Sequence, residues 1–529
     1  MTPKENVFVA RRLVPDPVAC VLSGPTGLVD QRPVERNGRI RYDNRGRPYL
    51  IHNGRQIPVI SGAVLGASLP SRLANSSGTN YYTATTGNDS TGDGSTGNPW
   101  QTVQKAVNTV PANSIINVRS CTAEKLYILG DMASTVTIQP EGYGTSWTRK
   151  KLHNVWVENS PTVATRNWRI RGFEFDGAAT AVNGSGFAGF GCNIKPNGSA
   201  TRLENIEMDN CWLHDHGHVI QSGANSASCL FLGGSGRAAL TGIQIWNSVM
   251  VNPGLEIYAV GDQTTSTDLF VTTVDPANVD PALYFKAAGG LYVYNSAGAL
   301  QYITYTGQDA INQKFTGCSG WTGTILGGTP ITDSNRNEDH GIYIEGSGAI
   351  NTPDVLIANC IIYDIRSGYG VQLYPNPKNV WVVNTLVYGN LSRSGYVITS
   401  DSSNTANANW IKNSLAVRNI RDNGLTAYRH VFNASLTASP VNRWDYCLGF
   451  NNPGGNFSAD YVNGLVSSNL LTGSDPLFNS ITNPHSVQPP SSTLYLPPGR
   501  DFHVQPTSPD LGAGDAAYCP EIYFDGSFR

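Results

Sequence analysis

Charged side chains are scarce in this chain, 14% of 529 residues, and several other features are missing altogether. No run of 18 apolar residues occurs, which excludes a membrane-spanning helix and membrane insertion with it. The opening Met-Thr-Pro-Lys-Glu-Asn lacks the basic-then-apolar layout of a secretory signal, so folding in a cytosol is expected. The nine cysteines show no CxxC spacing, and buried packing is the expectation for Cys211 and Cys360. Long helical patterns are absent too. What remains is rich in turns: 56 Gly among many Asn, Ser and Thr point to an all-β chain of short strands.

Five segments share one pattern, an alternating apolar run reaching an Asn and then a small residue. They are Ile-Glu-Met-Asp-Asn-Cys at 206–211, Ile-Gln-Ile-Trp-Asn-Ser at 243–248, Val-Leu-Ile-Ala-Asn-Cys at 355–360, Val-Trp-Val-Val-Asn-Thr at 380–385 and Trp-Ile-Lys-Asn-Ser at 410–414. The asparagines lie 37, 112, 25 and 29 residues apart. Repeats of about 20–50 residues with Gly-rich turns mark a solenoid, and period-two alternation makes each segment a strand with one buried face. Stacked in register, Asn210, Asn247, Asn359, Asn384 and Asn413 would line up inside, about 4.8 Å apart. The expected fold is all-β, a right-handed single-stranded parallel β-helix.

Charge divides the chain. Residues 1–60 carry Lys4 and nine Arg against five acids, a net +5, which leaves −8 for the rest. This basic head, with turns at Asn37-Gly38, Arg45-Gly46 and Asn53-Gly54, is expected to dock to a protein; its interspersed Gly, Pro and acids argue against nucleic acid. A small, polar linker follows at 61–79. Residues 80–120 form the cap, where Trp100, Val103, Ala106, Val107 and Val110 recur at helical spacing. The β-helix then spans 121–254 and 339–470, closed by 471–529. Between its parts, 255–338 reads as a small inserted β module, because 112 residues stand where one repeat is expected.

Two stretches resemble known families. The Tyr81-Tyr82, Gly87-Asn88-Asp89 and Gly-Asn-Pro-Trp-Gln-Thr-Val-Gln-Lys-Ala-Val (97–107) elements resemble the opening of right-handed β-helix proteins related to polysaccharide lyases. Asp475-Pro476-Leu477-Phe478, Asp501-Phe502-His503-Val504, Ser-Pro-Asp-Leu-Gly-Ala-Gly (508–514) and Phe524-Asp525-Gly526 are similar to that family's closing segment. Such a fold hosts lyases, hydrolases, epimerases and inert shafts alike. The Ile-Thr-Tyr-Thr-Gly (303–307) and Phe-Thr-Gly-Cys-Ser-Gly (315–320) strings resemble a module of bacteriophage tail proteins. With a purely structural tail protein lacking a glycan site and an exported bacterial polysaccharide lyase as the alternatives, these resemblances together imply a tail spike or tail fibre protein. It would be assembled in the host cytoplasm and carried in the virion tail. It would be a homotrimer that contacts other tail proteins through residues 1–60 and a glycan on the host surface.

Alternation assigns faces. On the strand before the Asn, Gln244, Leu356, Trp381 and Trp410 form one outward column, and Trp246, Ala358, Val383 and Lys412 the other. An apolar patch of this kind marks a contact surface: packing of the insertion or chain ends, a trimer interface, or sugar stacking. On the strand after the next turn, Lys195, Phe231, Tyr343, Glu345, Gln372 and Tyr374 face outward. Aromatic planes mixed with amides and a carboxylate suit a substrate glycan, against the plain alternative of a solvated sheet face. The turn between these strands stacks Asp215, Asn252, Asp364, Gly389 and Arg418, near His214, His216, His218, Arg366 and residues 338–340. Asp215 and Asp364, two coils apart, would stand about 9–10 Å from each other. That approaches the roughly 6.5–9.5 Å of an inverting glycosidase. A lyase would instead need a base and a carboxylate neutraliser, for which His216, Tyr343, Lys378 and Arg366 are available. Catalytic candidates are therefore Asp215, His216, Asp364 and Arg366, each weighed against a role in bonding turn amides. No cofactor is expected. Calcium loops are suggested only by residues 333–339, which lack the sixth-position Gly, and by Asp89 to Asp93.

Overall fold

The computed structural model describes the backbone of three strands, Ile40–Tyr42, Pro48–His52 and Arg55–Pro58, and most of residues 69–514. Outside the described residues lie 1–39, 43–47, 53–54, 59–68 and 515–529. So do several connections, chiefly 178–189, 197–201, 217–226, 234–239, 252–256, 274–286, 334–338, 346–354, 400–407, 420–427, 432–441, 460–464 and 482–499. Isolated positions, including Asp215, Asp364, Arg366 and Arg418, are also outside.

Each coil repeats one course. Val380–Val383 lies in a first sheet, Leu386–Tyr388 in a second and Tyr396–Thr399 in a third, and Trp410–Lys412 returns to the first. Among the described residues the three sheets contain 12, nine and nine strands. Neighbours pair in parallel and in register, as in Ile245↔Ile357, Ile357↔Val382 and Val382↔Ile411. The chain is a right-handed parallel β-helix. Its bore is filled by alternate residues of all three sheets, among them Ile206, Met208, Leu213, Leu230, Leu232, Ile342, Ile357, Val382 and Tyr396. A period-two apolar pattern on a stacked strand can bury one face only, so the bore collects the apolar set of every coil.

The ladder asparagines are in register, but their amides are not in the bore. Asn210, Asn247, Asn359, Asn384 and Asn413 all adopt the left-handed conformation, with φ between 48° and 56°. Asn tolerates this region better than other non-glycine residues, and it turns the chain from the first sheet to the second. A residue at such a corner projects to the convex side, and the next residue points inward. Asn359 Nδ2 donates to Asn247 Oδ1 at 2.6 Å, and Asn247 Nδ2 to the outward carboxylate of Asp209 at 2.8 Å. The inner column is therefore Cys211, Ser248, Cys360, Thr385, Ser414 and Cys447. Ser248 Oγ and Ser414 Oγ donate to the carbonyls of Trp246 and Lys412, each at 2.8 Å. Cys211, Cys360 and Cys447 are buried and unbridged. Buried Asn stacks do occur, at other corners. Asn390 N–H donates to Asn419 Oδ1 and Asn419 N–H to Asn452 Oδ1, while Asn409 Nδ2 donates to Asn442 Oδ1.

The first coil is closed by a helix at Val103–Val107, whose Val103, Ala106 and Val107 are buried with Trp100 and Val110. Asp89 fixes its start: Oδ1 accepts the N–H groups of Gln101 and Thr102, and Oδ2 accepts the Thr102 hydroxyl. That carboxylate thus serves the helix N-terminus. The insertion leaves after Val249–Val251 and rejoins at Asp339–Ile344. It forms a seven-stranded antiparallel sheet around its own core of Leu269, Val271, Leu291, Ile303, Phe315 and Trp321.

Residues 69–77, within the stretch read as a linker, lie against the first sheet as a strap. The Arg72 guanidinium meets Glu207 at 2.7 Å and Asp209 at 2.6 Å. Arg169 donates to Asn75 and to the Leu73 carbonyl, and Gln244 Nε2 to the Ser71 carbonyl. Leu69, like Trp381 and Trp410, packs against the cluster of Trp246, Leu356, Ala358 and Val383, so this segment covers part of that apolar patch. Phe478, which pairs with the closing strand Arg500–Val504, packs on Tyr388 over the second sheet.

Candidate functional site

The third sheet presents its outward residues in two columns. One runs Tyr127, Trp156, Asn193, Phe231, Tyr343 and Gln372, each paired with the next. Their inward neighbours, from Ile128 and Val155 to Ile344 and Leu373, fill the bore. In the other column Glu158 pairs with Lys195. Gly233, Glu345 and Tyr374 continue it through backbone N–H bonds to Ile194, Leu232 and Ile344. All six glycan-contact candidates read from the repeats therefore share one face. The alternating strands at Lys125–Ile128 and Asn154–Glu158 extend it through Tyr127, Trp156 and Glu158.

Aromatic rings cluster along this face. Phe231 stacks on Phe190 with centroids 4.9 Å apart and meets Tyr343 edge-on at 5.4 Å. His340 lies edge-on to Tyr343 at 5.2 Å and stacks on Tyr369. Its Nδ1 accepts the Tyr369 N–H at 3.0 Å, so a neutral His340 ring carries its proton on Nε2. Lys125 Nζ stands 3.6 Å from the Trp156 ring centre. Gly233 leaves the space that Phe231 fills, since a Cβ there would lie 2.2 Å from the Phe231 ring.

Polar groups link the rings to the carboxylates. Tyr127 donates to Glu158 at 2.8 Å and Tyr343 to Glu345 at 3.4 Å. Burial, with the Glu158 hydrogen bond second, pushes the Tyr127 phenol up to about 12. Burial and then the Glu345 and Tyr374 neighbours raise Tyr343 well above an ordinary tyrosine. Both phenols thus hold their protons tightly, which suits donors of hydrogen bonds better than bases. Glu158 and Glu345 are three rungs apart, about 14 Å, wider than either glycosidase spacing. Among the described residues of this face, Glu158 and Glu345 do not form a carboxylate pair at a glycosidase spacing.

The turn cluster is largely outside the described residues, including Asp215, Asp364 and Arg366. His216 is described, and it is fully buried with Nε2 2.9 Å from the Phe175 carbonyl. Its ring packs against Gly191 inside the corner between the second and third sheets. That position serves the corner and holds the imidazole away from solvent, so the catalytic reading of His216 does not fit. His214 points the other way, onto the outer face of the second sheet beside Glu174. His340, named in the sequence only as a neighbour of the turn, belongs instead to the aromatic face.

No protein-family model matches this chain, and no curated protein matches its sequence. Several solved structures show a distant similarity. Pectate lyase Pel9A matches at 12% identity and a TM-score of 0.37, covering 83% of this chain and 92% of that one. An alginate lyase from Paenibacillus sp. str. FPU-7 matches at 10% identity and a TM-score of 0.29, covering 70% and 92%. The GH136 lacto-N-biosidase from Eubacterium ramulus matches at 9% identity and a TM-score of 0.31, covering 75% and 68%.

Proposed function

We propose that this chain recognises a polysaccharide laid along the outer face of the third sheet. The carrying observation is the in-register column from Tyr127 to Gln372, about 24 Å long at the usual strand spacing. Sugars present apolar ring faces and a rim of hydroxyls. Trp156, Phe231 and Tyr343 would take the former, and Glu158, Lys195, Glu345, Gln372 and Tyr374 the latter. The setting we infer is a bacteriophage tail spike or fibre engaging a host surface glycan as a homotrimer, attached through residues 1–60. Support for that setting comes from the tail-module resemblance at 303–320 and the separate strands of the head. Cleavage, if the bound glycan is cut, falls to Asp215, Asp364 and Arg366 at the neighbouring turn.

The test is binding of the full chain to a panel of bacterial capsule and cell-wall polysaccharides. Affinity for at least one member, lost on Phe231→Ala plus Tyr343→Ala, is expected; no binding across the panel would sink the reading. Reducing ends or unsaturated uronate released from the bound glycan would assign hydrolysis or elimination. Detection of the chain in purified virions separates the tail setting from an exported lyase with the same face.

A further inference from the structure

At one end of the second sheet, one corner away from the aromatic face, Glu174, Asp176 and His214 converge. Glu174 and Asp176 stand on alternate positions of Phe173–Asp176, and His214 is the register partner of Asp176 on the next coil. One carboxylate oxygen of each acid and one ring nitrogen all lie within 4.8 Å of one another. His214 Nε2 is 3.3 Å from Glu174 Oε1, and Nδ1 is 4.0 Å from Asp176 Oδ1. The imidazole is nearly buried and stacks on Trp212 at 3.8 Å, which fixes its plane. A cation already occupies the cluster: Lys151 Nζ lies 2.9 Å from Glu174 and 2.7 Å from Asp176. Lys151 is half exposed, so its ammonium can swing into solvent and leave the carboxylates behind.

We propose that Glu174, Asp176 and His214 form a site for a divalent first-row transition ion such as zinc, with Lys151 as the cation it replaces. Ligand atoms in a tetrahedral zinc site with bonds of about 2.1 Å are separated by about 3.4 Å. The Glu174–His214 separation of 3.3 Å already fits, and the longest, up to 4.8 Å, needs to close by about 1.4 Å through carboxylate rotamers once the ammonium leaves. One imidazole nitrogen with two carboxylate oxygens favours zinc, cobalt or manganese over calcium, which takes oxygen ligands in larger number. Three protein donors leave one position open, on the side where Lys151 reaches solvent. Nothing in the glycan reading depends on this site.

Calorimetric titration of the full, chelator-treated chain tests the assignment, with Zn2+ as the probe and Ca2+ at equal concentration as the contrast. Saturable binding of one Zn2+ is expected, weakened at least tenfold by His214→Ala and tightened by Lys151→Met, with no matching Ca2+ signal. With Co2+, visible absorption bands of a low-coordinate site should arise and disappear in His214→Ala. Circular dichroism establishes that each variant retains its strands. Absence of Zn2+ binding in both the parent and Lys151→Met would overturn the proposal and leave Lys151 as the permanent counter-ion. Binding that survives His214→Ala unchanged would overturn it equally.

Discussion

Replacing Asn359 separates the two jobs done by the corner residue. Its backbone is left-handed at φ 56°, and its amide donates to Asn247 Oδ1 at 2.6 Å with 3% of the residue exposed. In Asn359→Ala the backbone is held where an alanine Cβ costs about 1–2 kcal/mol, a cost the native Asn already bears in part, and the amide's bond to Asn247, worth about 0.5–1.5 kcal/mol, is lost. The sum is about 2 kcal/mol. Asn359→Gly loses the same hydrogen bond but is at home in this conformation. Its own penalty is the extra freedom of the unfolded chain, about 0.5–1 kcal/mol, offset in part by removal of the strained Asn Cβ, for a total of about 1 kcal/mol by the same reasoning. The glycine variant should therefore be the more stable of the two by about 1 kcal/mol, the reverse of their order inside an ordinary strand. Unfolding rates in urea are the assay, because a long stack of coils need not unfold in one equilibrium step. Equal rates for the two variants, or Ala slower than Gly, would refute the assignment of the corner to backbone conformation.

Other consequences follow from particular contacts. Arg72→Ala removes the strap's ion pairs with Glu207 and Asp209. Arg169 remains on Glu207, so a loss of about 1–3 kcal/mol is expected, read as faster hydrogen exchange confined to residues 69–77. Gly370→Ala would put a Cβ 2.4 Å from Val387 Cγ1 and 2.6 Å from the Gly395 carbonyl. It should destabilise by about 1–3 kcal/mol or more, visible as a lowered thermal midpoint. Because the Tyr127 phenol titrates near 12 in the folded chain, above free tyrosine, its contribution is complete below about pH 10 and is lost as pH rises toward 12. Ultraviolet titration should show several late phenols, Tyr343 among them; Tyr127→Phe should remove one, and Glu158→Gln should move that one downward.

The repeating strands were legible because period two and the recurring Asn mark the same place on each coil. Direction at the corner was not legible. Alternation alone puts the Asn inside, whereas the left-handed turn moves the inward position to Cys211, Ser248, Cys360, Thr385 and Ser414. The strap escaped because small polar residues surround its anchors, and Arg72 finds Glu207 135 residues away. The aromatic face was read from Lys195 to Tyr374 but not through Tyr127 and Trp156. Their coils lack the marker: a longer connection with Gly142 at φ 76° joins Asp131–Pro140 to Lys150–Leu152 before Trp156, and no second-sheet strand stands between Ile115–Val118 and the Tyr127 strand Lys125–Ile128. His216 misled because a His-Asp-His run suggests chemistry, while its ring lies under Gly191, bonded to a carbonyl.

The most direct test is a structure of the chain with an oligosaccharide cut from whichever polysaccharide it binds. Sugar rings lying against Trp156, Phe231 and Tyr343, with hydroxyls on Glu158, Glu345 or Gln372, are what the account predicts. Sugar held instead on the Trp381–Trp410 side of the first sheet, or on the second sheet, would contradict it.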